Sequence, residues 1–396
     1  MTNGQLKVSS KRTVILIICL LGVMSQFATD SFTPSLPYIM GYFDAAARDV
    51  KFTVGIYFLG MACSVLGFGY FSDKYGRKPA LIAGYIIFCL ASTFCMLAQS
   101  EDQLLFFRFL QGIGMGSSFI SFRAIMKDVF SDNHSLAKAS LIISSVISLT
   151  PPLAPISGGI IQECIGWRAN FALHSLMAII VMILIVKYLH LETIVKSNTN
   201  LLESYKKILS NKTFILNASC SGLALSLVFV FATLSPFLFQ VLLKFSPFEF
   251  SLLSTAVIVP AALFLILFKN KVSKLDMSKV SLCSASFSIF CGIGLALSYF
   301  IFGLNTVVVV VLCALAFCGN TFQYTATYVC AYENIYTDVG AASAIFGFIQ
   351  ITVTAIVSSA VSYVTLDNQF IFGVLMAIPP LLIVLVKIID IKNKAK

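Results

Sequence analysis

Gly69-Tyr-Phe-Ser-Asp73-Lys74-Tyr-Gly76-Arg77-Lys78-Pro79 is a short charged turn set between two long apolar runs. Asp73, Lys74, Arg77 and Lys78 cannot rest in hydrocarbon, so the turn lies in water at a membrane face, with one helix arriving through Leu66 to Phe71 and another leaving from Pro79. Gly76 supplies the left-handed backbone that a tight turn asks for, and Pro79 is suited to a first helical turn. The rest of the composition agrees with this reading. Hydrophobic residues make up 58% and charged residues 11% of the 396, whereas ordinary soluble domains carry about 25% charged residues. The expected fold is therefore an all-α membrane protein. Continuous apolar runs exclude a β-barrel, whose strands alternate.

Spans are expected near 14–40, 53–71, 79–97, 103–126, 138–162, 168–190, 213–240, 249–268, 280–302, 305–329, 340–364 and 370–389. The longest polar insert follows the sixth, which divides the chain into a bundle at 1–190, a linker at 191–212 and a second bundle at 213–396. A faint repeat supports two related halves facing each other across a central cavity. Thr33-Pro34 near the end of span one is echoed by Ser235-Pro236 near the end of span seven. Lysine and arginine crowd the ends of the runs on the side of the termini, with only Arg48, Lys51, Arg168 and Lys244 on the other, so both termini are expected in the cytoplasm.

The net charge of +10 is spread over helix ends rather than gathered in a patch, which favours membrane orientation over nucleic-acid binding. Most of the 11 cysteines fall inside spans and read as small packing residues, neither disulfides nor metal ligands. No cofactor is expected. No nucleotide-binding or hydrolytic motif occurs, which leaves ATP-driven transport and enzymatic chemistry without support.

Charges inside the spans carry the functional argument. Asp30, in Gln26-Phe-Ala-Thr-Asp30-Ser-Phe-Thr33-Pro34-Ser-Leu-Pro37, costs several kcal/mol unless it faces a cavity or a partner. One reading is a site that binds and releases a proton; the other is a structural acid bonded to a neighbouring helix or hydrated near the surface. Arg108, Gln111, Gly112 and Met115 share a face of span four, and Gly112 and Gly116 permit close helix approach. Arg108 either faces the cavity or snorkels to the surface. Arg123 and Asp128, at the inner end of that span, read as gate pairing or as interfacial charge. Thr150-Pro151-Pro152-Leu-Ala154-Pro155-Ile-Ser-Gly158-Gly159 in span five would break a soluble helix and suits a bundle whose neighbours satisfy the freed backbone. In the second half Asn320, Gln323 and Tyr324 fall on one side of span ten, and with Gln26, Tyr38, Tyr57 and Met115 they are candidates for a wide amphipathic cavity; aromatic packing and helix hydrogen bonds are the alternative.

These stretches resemble the major facilitator superfamily. The charged turn is similar to its G-x-L-x-D-x-x-G-R-[RK] loop, matched by Gly69, Asp73, Gly76, Arg77 and Lys78, with Tyr70-Phe71 a mild departure. The Asp30 segment resembles the D-x-x-x-P-x-L-P pattern of the drug:proton antiporters, especially the bicyclomycin and chloramphenicol resistance branch. Arg108-Phe-Leu-Gln111-Gly112 is similar to R-x-x-Q-G, and Arg123-Ala-Ile-Met-Lys-Asp128 to that branch's R-A-[IV]-x-x-D. Pro155, Gly158 and Gly159 match the antiporter motif, with Thr150 and Ala154 where glycines are expected.

The resemblance implies a twelve-span major facilitator fold that exports drugs or small amphipathic metabolites across a bacterial inner membrane by alternating access. It assigns proton transfer to Arg108 and proton or substrate binding to Asp30. Asp73 is expected to face the start of span eleven near Gly340, a carboxylate against a helix N-terminus. The partners implied are a small-molecule substrate, protons and the bilayer, in a monomer. A dedicated exporter of an endogenous compound such as a siderophore, or a solute importer, is the alternative. A non-transporting scaffold would have no use for Asp30 and Arg108.

Overall fold

The computed structural model describes residues 11–130, 133–189, 201–272, 274–333, 335 and 339–394, and among them there is no strand. Twelve helices are long and apolar enough to cross a membrane: Lys11–Phe43, Ala47–Tyr75, Arg77–Leu97, Glu101–Met126, Lys138–Cys164, Trp167–Tyr188, Lys212–Leu242, Pro247–Phe268, Met277–Phe302, Thr306–Tyr332, Ala341–Ser362 and Gln369–Ile391. They are spans one to twelve. Each matches an expected span to within a few residues, because 20 or so apolar residues bounded by charge leave little freedom in placing a helix. Residues 191–200 of the 191–212 linker lie outside the described residues; the remainder carries a short helix, Leu201–Leu209.

Packing repeats at an offset of six spans. Span four packs on spans one, two and three, and span three on span six; span ten packs on spans seven, eight and nine, and span nine on span twelve. The halves meet along span two against span eleven and span five against span eight, contacts that the same offset interchanges. This is the signature of two six-helix bundles related by a two-fold axis through the centre. The first bundle's core (Ile17, Met24, Phe32, Tyr57, Phe88, Phe171) extends across the seam to Phe229, Phe237, Ile351 and Ala355.

Glycine lets these helices touch. A Cβ on Gly112 would overlap the Tyr57 carbonyl of span two, and one on Gly60 the Phe109 carbonyl of span four, so the backbones are in contact there. At the seam, a Cβ on Gly55 would lie 2.6 Å from the Ser359 hydroxyl.

Span one is broken where the sequence places Asp30. Its first helix runs Lys11–Asp30, a 3-10 turn covers Thr33–Ser35, and a second helix runs Leu36–Phe43. Pro34 and Pro37 remove backbone donors, and the Thr33 hydroxyl donates instead to the Asp30 carbonyl at 2.9 Å. Span five breaks similarly between Ile147 and Thr150, ahead of Pro151-Pro152.

Candidate functional site: a buried arginine beside a broken helix

Arg108 is fully buried in the first bundle, so it does not snorkel. Its Nη1 donates to Gln111 Oε1 at 2.5 Å and to the Ala28 carbonyl at 3.4 Å, and its Nε to the Thr53 carbonyl at 3.3 Å. The guanidinium carbon sits 4.7 Å from the centre of the Phe32 ring and 4.5 Å from that of Tyr57, and Nη2 has no partner. Gln111 relays the network: its Nε2 donates to Ser92 Oγ at 2.7 Å, and Ser92 to the Phe88 carbonyl at 2.7 Å. No carboxylate forms an ion pair with Arg108 among the described residues, so a whole positive charge is held by carbonyls, an amide and three aromatic faces.

The guanidinium meets span one at Ala28, not at Asp30. Asp30 is partly buried, and neither hydrogen bond nor ion pair reaches its carboxylate among the described residues. The two charges flank one helix break without touching. Gln26 leaves its Oε1 buried and unpartnered one turn earlier.

The charged turn from Gly69 to Pro79 closes on itself. Gly76 takes φ 99°, and the Arg77 guanidinium binds Asp73 at 2.6 Å, Ser72 at 2.9 Å and Asp128 at 3.1 Å. Asp128 is therefore the partner of Arg77, whereas Arg123 lies over the Phe119 and Phe122 rings without an ion pair; the two residues of that motif do not pair with each other. Lys78 donates to the Val186 carbonyl of span six at 2.7 Å. The residues just ahead of span eleven, where Asp73 was expected to meet a helix N-terminus, lie partly outside the described residues. The Tyr205 phenol of the short helix is pushed up, first by burial and then by the through-space effect of the Asp73 carboxylate.

Span ten's polar residues separate. Gln323 turns to Ser281 of span nine at 2.9 Å, whereas Tyr324 accepts from Gln350 of span eleven at 3.1 Å. Asn320 is mostly buried, with no side-chain hydrogen bond among the described residues. Tyr57 and Met115 are core residues and Tyr38 is 48% exposed, so these three do not share one cavity wall. Helical spacing fixed a common side, but spans nine and eleven both pack against that side.

Gly158 and Gly159 face opposite halves. A Cβ on Gly158 would strike the Ser31 carbonyl, next to Asp30, and one on Gly159 would strike Ser251 of span eight. Pro155 lies inside the second part of span five, and Thr255 of span eight donates to the Pro152 carbonyl at 3.0 Å.

A major facilitator model matches residues 18–363 of the sequence. The chain belongs to the Major Facilitator Superfamily. Members of this superfamily are transporters rather than enzymes, and this one is a multi-pass inner-membrane protein. Among curated proteins it is similar to the multidrug resistance protein MdtL of Salmonella typhi, 29% identical over 226 residues, which is 56% of this chain and 57% of that protein. MdtL of Escherichia coli O17:K52:H18 is also 29% identical, over 223 residues. The match thus spans little more than half the length of these relatives. Solved superfamily structures share the fold: a partially occluded inward-open form of the xylose transporter XylE from E. coli (TM-score 0.72, 16% identity, 94% of this chain and 96% of that one) and a D-xylose-proton symporter (TM-score 0.76, 15% identity, 94% and 97%).

Five buried polar side chains escaped the sequence reading. His174 and Asn170 of span six bind the broken segment of span one. Lys51, 2% exposed, donates to the Val364 carbonyl at the end of span eleven. Lys387 and Asp390, 1% and 2% exposed, share the Asn217 amide, one on each side. His174 and Asn170 did leave a trace: polar residues at i and i+4 in an apolar run.

Proposed function

We propose that this superfamily member is a proton-coupled exporter of drugs or small amphipathic metabolites, cycling by alternating access between the 1–190 and 213–396 halves, with both termini in the cytoplasm. Asp30 carries the coupling proton. The observation behind this assignment is the Asp30 carboxylate itself, with no hydrogen bond or ion pair among the described residues, at a helix break near an arginine that also lacks a counter-charge among them. An intramembrane acid held by a structural partner would be spoken for; this one is free to exchange a proton for a substrate. The charge on Arg108 acts through the break and not by direct contact. The multidrug resistance relatives, at 29% identity, support drug-like substrates.

Alternating access needs contacts that are made in one state and broken in the other. On the face remote from the termini, Lys51–Val364, Gly55–Ser359, Gln240 to the Pro34 carbonyl at 3.1 Å and Glu163 to the Phe248 amide at 3.2 Å join the halves. These form the gate that opens outward. At the opposite face Arg77, Asp73 and Asp128 brace the turn between spans two and three. A ligand drives the cycle only by its differential affinity for the two states.

The test is substrate-driven proton movement in inside-out vesicles, comparing wild type with Asp30→Asn across lipophilic cations and neutral antibiotics. Proton release on addition of a compound, lost in the variant, is expected. Coupling that survives in Asp30→Asn would remove the assignment. A wild type silent to the whole panel would replace drugs with a dedicated metabolite.

A further inference from the structure

Span six holds the break that carries Asp30 at two points. His174 Nε2 lies 2.8 Å from Ser31 Oγ, and Asn170, one turn earlier on the same face, donates from Nδ2 to Ser35 Oγ at 3.1 Å and to the Gly158 carbonyl at 3.4 Å. Both side chains are fully buried. One bond therefore sits at each end of the segment where span one leaves the helix and re-enters it, Ser31 to Ser35.

The protons in this contact can be counted. Ser31 has a single hydroxyl proton and donates it to the Phe27 carbonyl at 2.7 Å. It is therefore an acceptor toward His174, and the imidazole must carry its proton on Nε2. That leaves Nδ1 as a bare buried acceptor, which agrees with its having no partner. The ring itself is boxed by aromatic neighbours: Phe27 at 6.1 Å, Phe88 at 6.5 Å and Phe171 at 5.8 Å between centroids. Phe171 also faces the Arg108 guanidinium at 6.0 Å. Opposite His174, the Ser31 backbone rests on Gly158, where any side chain would collide with its carbonyl. Ser31 is thus gripped from span six through its hydroxyl and from span five through its backbone.

We propose that His174 and Asn170 form a clamp that positions Asp30, with His174 acting as a neutral donor through Ser31 and not as a second proton carrier. This rests on reading Asp30 as the coupling acid. Of the ionisable groups around the clamp, Arg108 of span four acts on His174 through space, the Cys89 thiol of span three lies 3.8 Å from the Ser175 carbonyl beside it, and Tyr57 of span two is in electrostatic range of both Arg108 and Asp30. Span five presents Gly158 here, with Glu163 and Cys164 five and six residues further along it; Glu249 of span eight falls at the level of Gly159, where span eight packs, but its side chain is exposed. Burial, with no water to solvate a charge on the ring, explains the neutral role first, and Arg108 adds to it. A second positive charge on His174, beside a guanidinium with no counter-ion, would be repelled.

The experiment reads Asp30 directly, with no substrate. Infrared difference spectra of the purified protein in lipid vesicles, recorded over a pH series, identify the Asp30 carboxyl band by its loss in Asp30→Asn. The titration midpoint of that band is then measured in His174→Leu, Ser31→Ala and His174→Gln; glutamine keeps an Nε2 donor at nearly the same reach. The midpoint is expected to move by at least about half a unit, a threefold change in proton affinity, in His174→Leu and Ser31→Ala, and to stay at the wild-type value in His174→Gln. Ser31→Ala stands in should His174→Leu fail to fold. Unchanged midpoints in His174→Leu and Ser31→Ala overturn the clamp, and equal shifts in His174→Leu and His174→Gln reduce His174 to packing. If the clamp variants shift the band while vesicles bearing Asp30→Asn still couple, the clamp stands and the coupling assignment falls.

Discussion

Replacing Gly112 with alanine adds one methyl group where spans two and four have no room for it. The new Cβ would lie 2.9 Å from the Tyr57 carbonyl carbon and 3.0 Å from the Met61 nitrogen, and would overlap the Tyr57 oxygen outright. Ordinary contact begins near 3.4 Å, and the obstacles are backbone atoms that cannot rotate away, so the helices must part. Overpacking of this kind costs about 1–3 kcal/mol, against a gain of about 0.5–1 kcal/mol from alanine's better helix propensity. Steric cost wins. The consequence reaches the site, because the displaced Tyr57 carries the Arg108 guanidinium on its ring at 4.5 Å and Thr53, one turn before it, accepts from Arg108. Gly112→Ala is expected to lower the apparent melting temperature in detergent, followed by fluorescence-detected size exclusion, and to reduce substrate-driven proton release further than the loss of folded protein accounts for. Gly67→Ala, within the same span two and with no heavy atom inside 4 Å of the added carbon, is expected to melt at or slightly above wild type. Equal melting temperatures for Gly112→Ala and Gly67→Ala would refute the backbone contact.

Asp30→Asn is expected to abolish proton release while leaving the fold intact, and His174→Leu to move the titration of the Asp30 band where His174→Gln does not. Lys51→Met is expected to favour the joined far face, because methionine removes a buried ammonium that bonds one carbonyl and forms no ion pair among the described residues, Asp367 acting on it only at a distance; replacing poorly compensated buried charge with apolar volume often stabilises by about 1–4 kcal/mol. Slower turnover, with thiol labelling at the gate reduced, would register it, and faster labelling would contradict it. Lys387→Met is expected to destabilise more than the double change Lys387→Met/Asp390→Asn, since the single change strands the Asp390 carboxylate. A double-mutant cycle in melting temperature with no coupling between the two sites would show that Asn217 does not join them.

The twelve spans, the charged turn and the small residues of span five were legible because each is a local property: a run of apolar residues, a cluster that lipid excludes, a helix breaker. Arg108 with Gln111 was legible for the same reason, being one turn apart on a single helix. Partners at long sequence separation were not. The Ser31–His174 contact spans 143 residues and the Lys51–Val364 contact 313, and no periodicity within one helix says which neighbour a polar side chain meets. Asn320, Gln323 and Tyr324 mark the limit of periodicity. It placed them on one side of span ten, and the packing of spans nine and eleven against that side then divided them.

The distribution of buried charge follows from how the halves must move. Arg108 and Asp30 lie within one bundle, where their surroundings are carried along as a body and a permanently buried guanidinium can be satisfied by fixed carbonyls and rings. Lys51 lies on the seam between span two and span eleven, where its only carbonyl belongs to the other half, so opening the gate exposes it to water and closing it requires that it be desolvated again. A cation at that position makes the closed gate less stable than an apolar residue would, and lowers the barrier to opening. The first bundle therefore stores its charge where rigidity keeps it satisfied, and the seam places its charge where it is released once per cycle. On this view a transporter that must visit both states gains nothing from the most stable seam, and the lysine at position 51 is explained by the turnover it permits rather than by the contact it makes.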